Sequence, residues 1–240
     1  MASAMRMEAS IRREIARAMR ELAEAHESPG AQAGALDEHR KRMEALLDKS
    51  WRSVFSAFGD RIIEGAAKGH RPAERKGLFD EYESLIANWI RRWSSQKVTQ
   101  IVGTTRDQAL AIIRPVIAEA VREGIGQAAT GRVLQRAMRE QGGALSRARA
   151  RVISRTETHA ASQAANKAAA KSTGLPMRKQ WIAAAGERTR EDHAAADGQT
   201  RKLDEPFLVG GEELDVPGDP AGSAEQVINC RCAVGYVVAD

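Results

Sequence analysis

The stretch SRARARVISRTETHAASQAANKAAAK, Ser146 to Lys171, is dense in Ala, the strongest helix former, and contains neither Gly nor Pro. It reads as one long helix. To its N-terminal side apolar residues recur at helical spacing; to its C-terminal side the texture changes to short β-like pieces and turns. The expected fold is a mainly α N-terminal region of amphipathic helices, residues 1–145, followed by a small α+β domain, residues 146–240. That second domain contains the long Ala-rich helix, short strands and a hairpin.

Upstream, Ile11, Ile15, Met19 and Leu22 form one stripe of a helix that Ser28-Pro29-Gly30 should break. Leu47, Trp51, Val54, Phe55 and Phe58 share a face of the next, and Gly59, Gly65, Gly69 and Pro72 mark a connection. A third segment carries Leu78, Tyr82, Leu85, Ile86, Trp89, Ile90 and Trp93, its tryptophans read as core. Thr105 can cap a fourth helix, in which Pro115 should produce a kink or a restart. A short helix with Val133, Leu134, Ala137 and Met138 is expected to end at Gly142-Gly143.

Downstream, Met177 to Ile182 reads as a strand. Thr189 with Asp192 three residues later has a capping-box spacing, opening a short helix that Gly198 closes. Phe207-Leu208-Val209 and Glu212-Glu213-Leu214 flank Gly210-Gly211 as a hairpin. Cys232 to Val238 is expected to be the last strand.

The composition, 42% hydrophobic and 29% charged, is that of a water-soluble globular chain, and 4% aromatics leave aliphatic side chains and Ala to fill the core. No run approaches a membrane span, and no apolar leader stands at the N-terminus, so neither a membrane partner nor general secretion is expected. A net charge of +5 is compatible with nucleic acid without establishing it. Between Arg147 and Lys179 eight basic residues (Arg147, Arg149, Arg151, Arg155, Lys167, Lys171, Arg178, Lys179) face one acid, Glu157, whereas the tail is acidic. Acidic loops folding back on the helix would neutralise it; otherwise it is free to meet phosphates or an acidic protein surface. The only cysteines are Cys230 and Cys232. In a strand their Cα atoms would stand about 6.6 Å apart, which disfavours a bridge and suits a reducing compartment.

Five pieces in order resemble the C-terminal domain of the phage Mu F-like (SPP1-type) minor head, or head morphogenesis, family. They are Arg155-Thr156-Glu157, Asn166, Trp181, ERTREDHAAADGQ from Glu187 to Gln199, and a tail with Asp204-Glu205-Pro206-Phe207, Pro217-Gly218-Asp219-Pro220 and Asn229-Cys230-Arg231-Cys232. The resemblance covers the last third to two-fifths of the chain. It implies a structural protein rather than an enzyme: a minor capsid component in head morphogenesis, associated with the portal or capsid interior. Its implied partners are the portal protein and other head proteins, with non-specific contact to phage DNA and a role around DNA ejection. Its implied location is the virion, and the host cytoplasm during assembly.

The family-motif polar cluster is Arg155, Glu157, Asn166, His193, Asp197 and Asn229, read first as a structural network. The alternative makes Arg155, Glu157, His193, Asp197 and Asn229 a nuclease- or transferase-like site, which requires them to converge on an open cleft. His193 precedes Asp197 by four residues, so a helix would let Asp197 orient the imidazole. His193, Cys230 and Cys232, with Asp197 or His159 as fourth ligand, would make an acceptable tetrahedral zinc set. The expectation is no cofactor, with a hydrogen-bonded His and two reduced, packed cysteines; zinc is the alternative.

Overall fold

A computed structural model of the chain describes residues 2–26, 28–68, 70–124 and 126–239. The order is α1 (Ala2–Glu24), α2 (Pro29–Ala66), α3 (Pro72–Arg122), α4 (Gln127–Ala137), a π turn (Met138–Gly142) and α5 (Gly143–Ser172). Then come β1 (Met177–Ile182), α6 (Glu191–Ala195), β2 (Thr200–Lys202), β3 (Phe207–Val209), β4 (Glu212–Leu214), α7 (Ala224–Val227) and β5 (Ala233–Val238). The chain is mainly α with a small C-terminal β region, as the sequence pattern predicts. No helix among the described residues is long and apolar enough to cross a membrane.

Two compact units are built from interleaved segments. One comprises Met1–Lys49 and Ser94–Ser154, the other Ser50–Trp93 and Arg155–Asp240, so α2, α3 and α5 each supply residues to both. In the first unit α1 buries Ile11, Ile15, Met19 and Leu22, the predicted stripe. Its Glu14 carboxylate accepts from His39 Nδ1 at 2.9 Å and from Arg42 Nε at 2.8 Å, so the charge that α1 carries inward is compensated.

Local chemistry explains where the helices start and where the predicted breaks fail. Pro29 opens α2 instead of merely ending α1, because Pro at a first helical position lacks only an amide that would be unpaired there. Ser28 Oγ accepts from the Ala31 amide. At α3, Arg71 N donates to Glu74 Oε2 at 3.0 Å, satisfying one of the helix's first free amides. Gly59 and Gly65 do not form a connection but lie inside α2; Gly69 lies outside the described residues. A Cβ at Gly59 would overlap the Tyr82 ring, so the glycine serves a close helix approach, sealed by Tyr82 Oη donating to Phe55 O at 2.8 Å. Thr105 caps nothing: it is buried inside α3 with its hydroxyl on Ile101 O, and α3 continues through Pro115 to Arg122. Nor does Gly142-Gly143 end a helix. The π turn carries the chain directly into α5, with Gly142 buried against Met19 and Met138.

The second unit holds the sheet, in the order β2-β1-β5, all antiparallel, and the separate hairpin β3-β4. Val209 pairs with Glu212, leaving Gly210 and Gly211 (φ 57° and 82°) as the two-residue turn expected. Alternation along β1 puts Lys179 and Trp181 inward and Arg178, Gln180 and Ile182 outward. Trp181 joins Ala196, Phe207, Val209, Leu214, Cys230 and Cys232 in one core. In the same unit Trp51 and Phe55 meet the Trp89 ring edge-on.

Candidate metal centre and its arginine-lined cleft

Three segments bring the site together. The loop after β1 leads into α6, whose N-cap is Arg190 in extended conformation; the Thr189–Asp192 capping box does not form, because the Thr189 hydroxyl donates to Ala184 O instead. The single turn of α6 aims His193 into the core, where it is 2% exposed. Its ring lies edge-on to Trp181 at 5.5 Å. The third segment is the turn after α7, where Asn229 adopts φ 58°, a conformation Asn tolerates better than most residues. There the Asn229 amide donates to Thr156 Oγ1 at 3.1 Å, and Arg155 donates to Asn229 Oδ1 at 3.4 Å. The helix motif thus holds the turn that delivers Cys230 and Cys232.

Both sulfurs converge on one ring nitrogen. His193 Nδ1 is 3.3 Å from Cys232 Sγ and 3.7 Å from Cys230 Sγ, and the three atoms lie within 4.8 Å of one another, all buried. The opposite nitrogen, Nε2, is 2.9 Å from Gln226 Oε1, and Gln226 Nε2 donates to Asp192 Oδ2 at 3.0 Å. Asp192 can only accept, so it fixes the amide with its oxygen toward the imidazole. Nε2 therefore carries the proton, and in a neutral ring Nδ1 presents a lone pair to the sulfurs. Between the cysteines, a hydrogen bond from Cys230 lowers the pKa of the Cys232 thiol, aided by the Ala184 amide and opposed by burial. The same bond, with burial, pushes the Cys230 thiol up.

His193 and Cys232 also line a cleft of about 300 Å³ whose other walls include Arg155, Arg188, Arg190, Arg231 and Asn229. No carboxylate lines it among the described residues. A second cavity, about 440 Å³, is lined by Trp89, Trp93, Lys167, Lys171, Asp204 and Asp215 among others, and its two lysines are paired with acids. Lys167 and Lys179 both meet Asp215, and Lys171 meets Asp204. The acidic loops do fold back on this part of the basic stretch.

The family model for the Phage Mu protein F like protein matches residues 112–235, just over half of the chain. The chain belongs to the Phage Mu protein F like family. Minor head protein GP7 of Bacillus phage SPP1 is 32% identical over 142 residues, 58% of this chain and 44% of that protein. The uncharacterized protein YqbB of Bacillus subtilis (strain 168) is 28% identical over 164 residues, 67% of this chain and 51% of that protein. The NAD(+)--arginine ADP-ribosyltransferase EFV of Enterococcus faecalis is 35% identical over 69 residues, only 14% of its own length. The chain spans about half the length of the first two relatives. No solved structure matches it.

Within this Mu F-like chain the predicted site residues separate. Arg155, His193, Asn229 and Cys232 meet at the cleft, with Cys230 behind. Glu157 is buried on α5 and does not line it. Asn166 is eleven residues along the same helix from Arg155, a rise of about 16 Å, and belongs elsewhere. Asp197 lies beyond the end of α6, exposed, and accepts from the Ala183 amide, so it does not orient His193. His159 faces Gly218, and neither it nor Asp197 stands within the His193–Cys230–Cys232 group. Sequence reasoning missed Gln226 and Asp192 as orienting groups, and Arg188, Arg190 and Arg231 as the cleft wall. The arginines were legible as basic residues flanking His193 and the cysteines; Gln226 left no signal, since an isolated Gln before a loop has no diagnostic spacing.

Proposed function

We propose that this chain is a minor head protein: a structural component of the phage head that acts in head morphogenesis rather than as an enzyme. The observation that carries the reading is the family match over residues 112–235, together with the likeness to a protein named for the SPP1 head. On this reading residues 1–145 dock in the head and residues 146–240 form the head-morphogenesis domain. The partners are the portal protein and other head proteins, and the location is the capsid interior at the portal, reached from the host cytoplasm during assembly.

The nuclease- or transferase-like alternative loses support because its two carboxylates, Glu157 and Asp197, are not among the cleft residues. The cleft that keeps Arg155, His193 and Asn229 offers no carboxylate base to a reaction. DNA contact also shifts in place. With Lys167, Lys171 and Lys179 paired, the basic surface left for phosphates includes Arg12, Arg13 and Arg20 of α1 with Arg147 of α5, which line one shallow pocket. The test is mass spectrometry and immunolocalisation of purified heads made with and without the protein, plus co-expression with the portal protein. We expect the protein in heads or assembly intermediates and co-elution with portal at micromolar concentration. Absence from both particles would overturn the structural reading, and complete separation on gel filtration would overturn the portal contact.

A further inference from the structure

We propose that His193 Nδ1, Cys230 Sγ and Cys232 Sγ hold one zinc ion, whose fourth position opens into the arginine-lined cleft and takes an oxygen ligand from it. Four observations converge. The first is spacing: in a tetrahedral site with Zn–S near 2.3 Å and Zn–N near 2.0–2.1 Å, ligand-to-ligand edges come to roughly 3.5–3.8 Å. The two nitrogen–sulfur separations, 3.3 and 3.7 Å, need only small adjustment to reach those edges.

The second observation is the orientation of the imidazole. Metal-binding histidines usually donate their other N–H to a fixed acceptor, which leaves the ligating nitrogen bare and correctly aimed. Gln226 performs this task, and Asp192 fixes Gln226 in turn. The hairpin turn reinforces the arrangement: a Cβ on Gly210 would overlap both the Asp192 carboxylate and the Gln226 amide. A buried histidine that merely packed would need one partner for each nitrogen. Here one nitrogen has a braced acceptor, and the other faces two sulfurs, of which a single S–H would suffice.

The third is electrostatics. Two thiolates and a neutral imidazole neutralise a divalent ion, and soft sulfur ligands with imidazole select zinc over magnesium or calcium. The fourth is access. His193 and Cys232 form part of the cleft wall, so an ion bound to them faces an opening of about 300 Å³ where a water or anion oxygen can complete the tetrahedron. Neither Asp197 nor His159 is needed for that position.

The test uses the full chain without a histidine tag, purified in the absence of chelators. Elemental analysis should give about one zinc per chain. Protein stripped of metal and kept reduced should take up one equivalent of cobalt(II), with sulfur-to-cobalt charge-transfer absorption and the visible bands of tetrahedral cobalt. X-ray absorption of the zinc form should show two sulfur and two nitrogen or oxygen neighbours. Because Cys232→Ser and His193→Ala remove core side chains and can unfold the domain, Gln226→Ala is the discriminating variant. It leaves all three ligands in place and should weaken metal affinity by about 10- to 100-fold with an unchanged circular dichroism spectrum. Folded, reduced wild-type protein that takes up neither zinc nor cobalt at micromolar concentration would overturn the proposal. So would cobalt binding without the sulfur band, and unchanged affinity in Gln226→Ala would overturn its assigned role.

Discussion

Replacing Asp215 by Asn should be among the most damaging single changes that keep side-chain size, because Asp215 compensates a fully buried cation. Lys179 occupies an inward position of β1 with its side chain 0% exposed; its ammonium meets Asp215 Oδ1 and the Asp215 carbonyl, each at 2.7 Å. Lys167, 18% exposed, reaches both carboxylate oxygens at 2.6 Å. An Asn oxygen placed at Oδ1 keeps contacts to both lysines and loses one bond, so the main loss is charge. Breaking a fully buried pair costs about 3–5 kcal/mol, but the Asp215 side chain is 43% exposed, so solvent screening, with the retained carbonyl and the Phe207 ring beneath Lys179, brings the loss to about 2 kcal/mol. Lys179→Met removes the buried charge and leaves Asp215 with Lys167, so it should cost only about 1 kcal/mol or less, and Asp215→Asn/Lys179→Met should recover most of the loss. The pH dependence has a definite sign. Burial acts to raise the Asp215 pKa, but the two ammoniums outweigh it and hold it below the ordinary value. Its contribution is therefore present above about pH 4 and lost as pH falls below that, a loss the Asn variant cannot show. Urea unfolding followed by tryptophan fluorescence is the assay, since Trp51, Trp89, Trp93 and Trp181 all lie in the unit that contains Asp215. A loss under about 1 kcal/mol in Asp215→Asn, or no recovery in the double variant, would refute the reasoning.

Three further outcomes are expected. Gly210→Ala, strained at φ 57° and overlapping Asp192 and Gln226, should lower the melting temperature more than Gly211→Ala, where open space leaves only the left-handed backbone cost of roughly 1–2 kcal/mol; equal effects would mean the turn does not brace the histidine. Burial lowers the His159 pKa from 6.5 to about 4, so the unfolded chain binds more protons between those values and stability falls as pH drops from 6.5 to 4, by up to about 3 kcal/mol; His159→Gln should flatten that window in acid titrations of stability. DNA binding through Arg12, Arg13, Arg20 and Arg147 should be sequence-independent with a log–log salt slope of about −4, and binding insensitive to salt in a filter or anisotropy assay would contradict it.

Period and composition carried most of the fold. The α1 stripe, the Ala-rich α5, strand β1 and the Gly-Gly hairpin are local features, set by side-chain periodicity and turn conformations over fewer than thirty residues. The misjudged positions are those where a tertiary neighbour outweighs local propensity. Gly59 looks like a break until Tyr82 is placed against it, and Gly142-Gly143 until Met19 and Met138 close over the π turn. Thr105 has a cap's chemistry but sits mid-helix, its hydroxyl satisfied by Ile101 O. Lys179 shows the same limit at a strand position, since nothing near it in sequence announces that Asp215 will make its burial tolerable.

The residues that converge at the candidate site were legible by type, and the groups that brace them were not. His193, Cys230 and Cys232 announce themselves by residue type, but Gln226, Asp192 and Thr156 act through geometry that only the folded tail creates. Thr156 and Arg155 hold Asn229, Asn229 sets the direction of Cys230 and Cys232, and the two sulfurs meet a histidine whose orientation is fixed from behind. Each link ties a late part of the chain to an earlier one. Of the predicted polar cluster, Glu157 and Asp197 do not line the cleft, whereas Arg155, His193 and Asn229 do. Residues spread over some eighty positions thus close the tail onto α5, beside a cleft whose walls include Arg155, Arg188, Arg190 and Arg231.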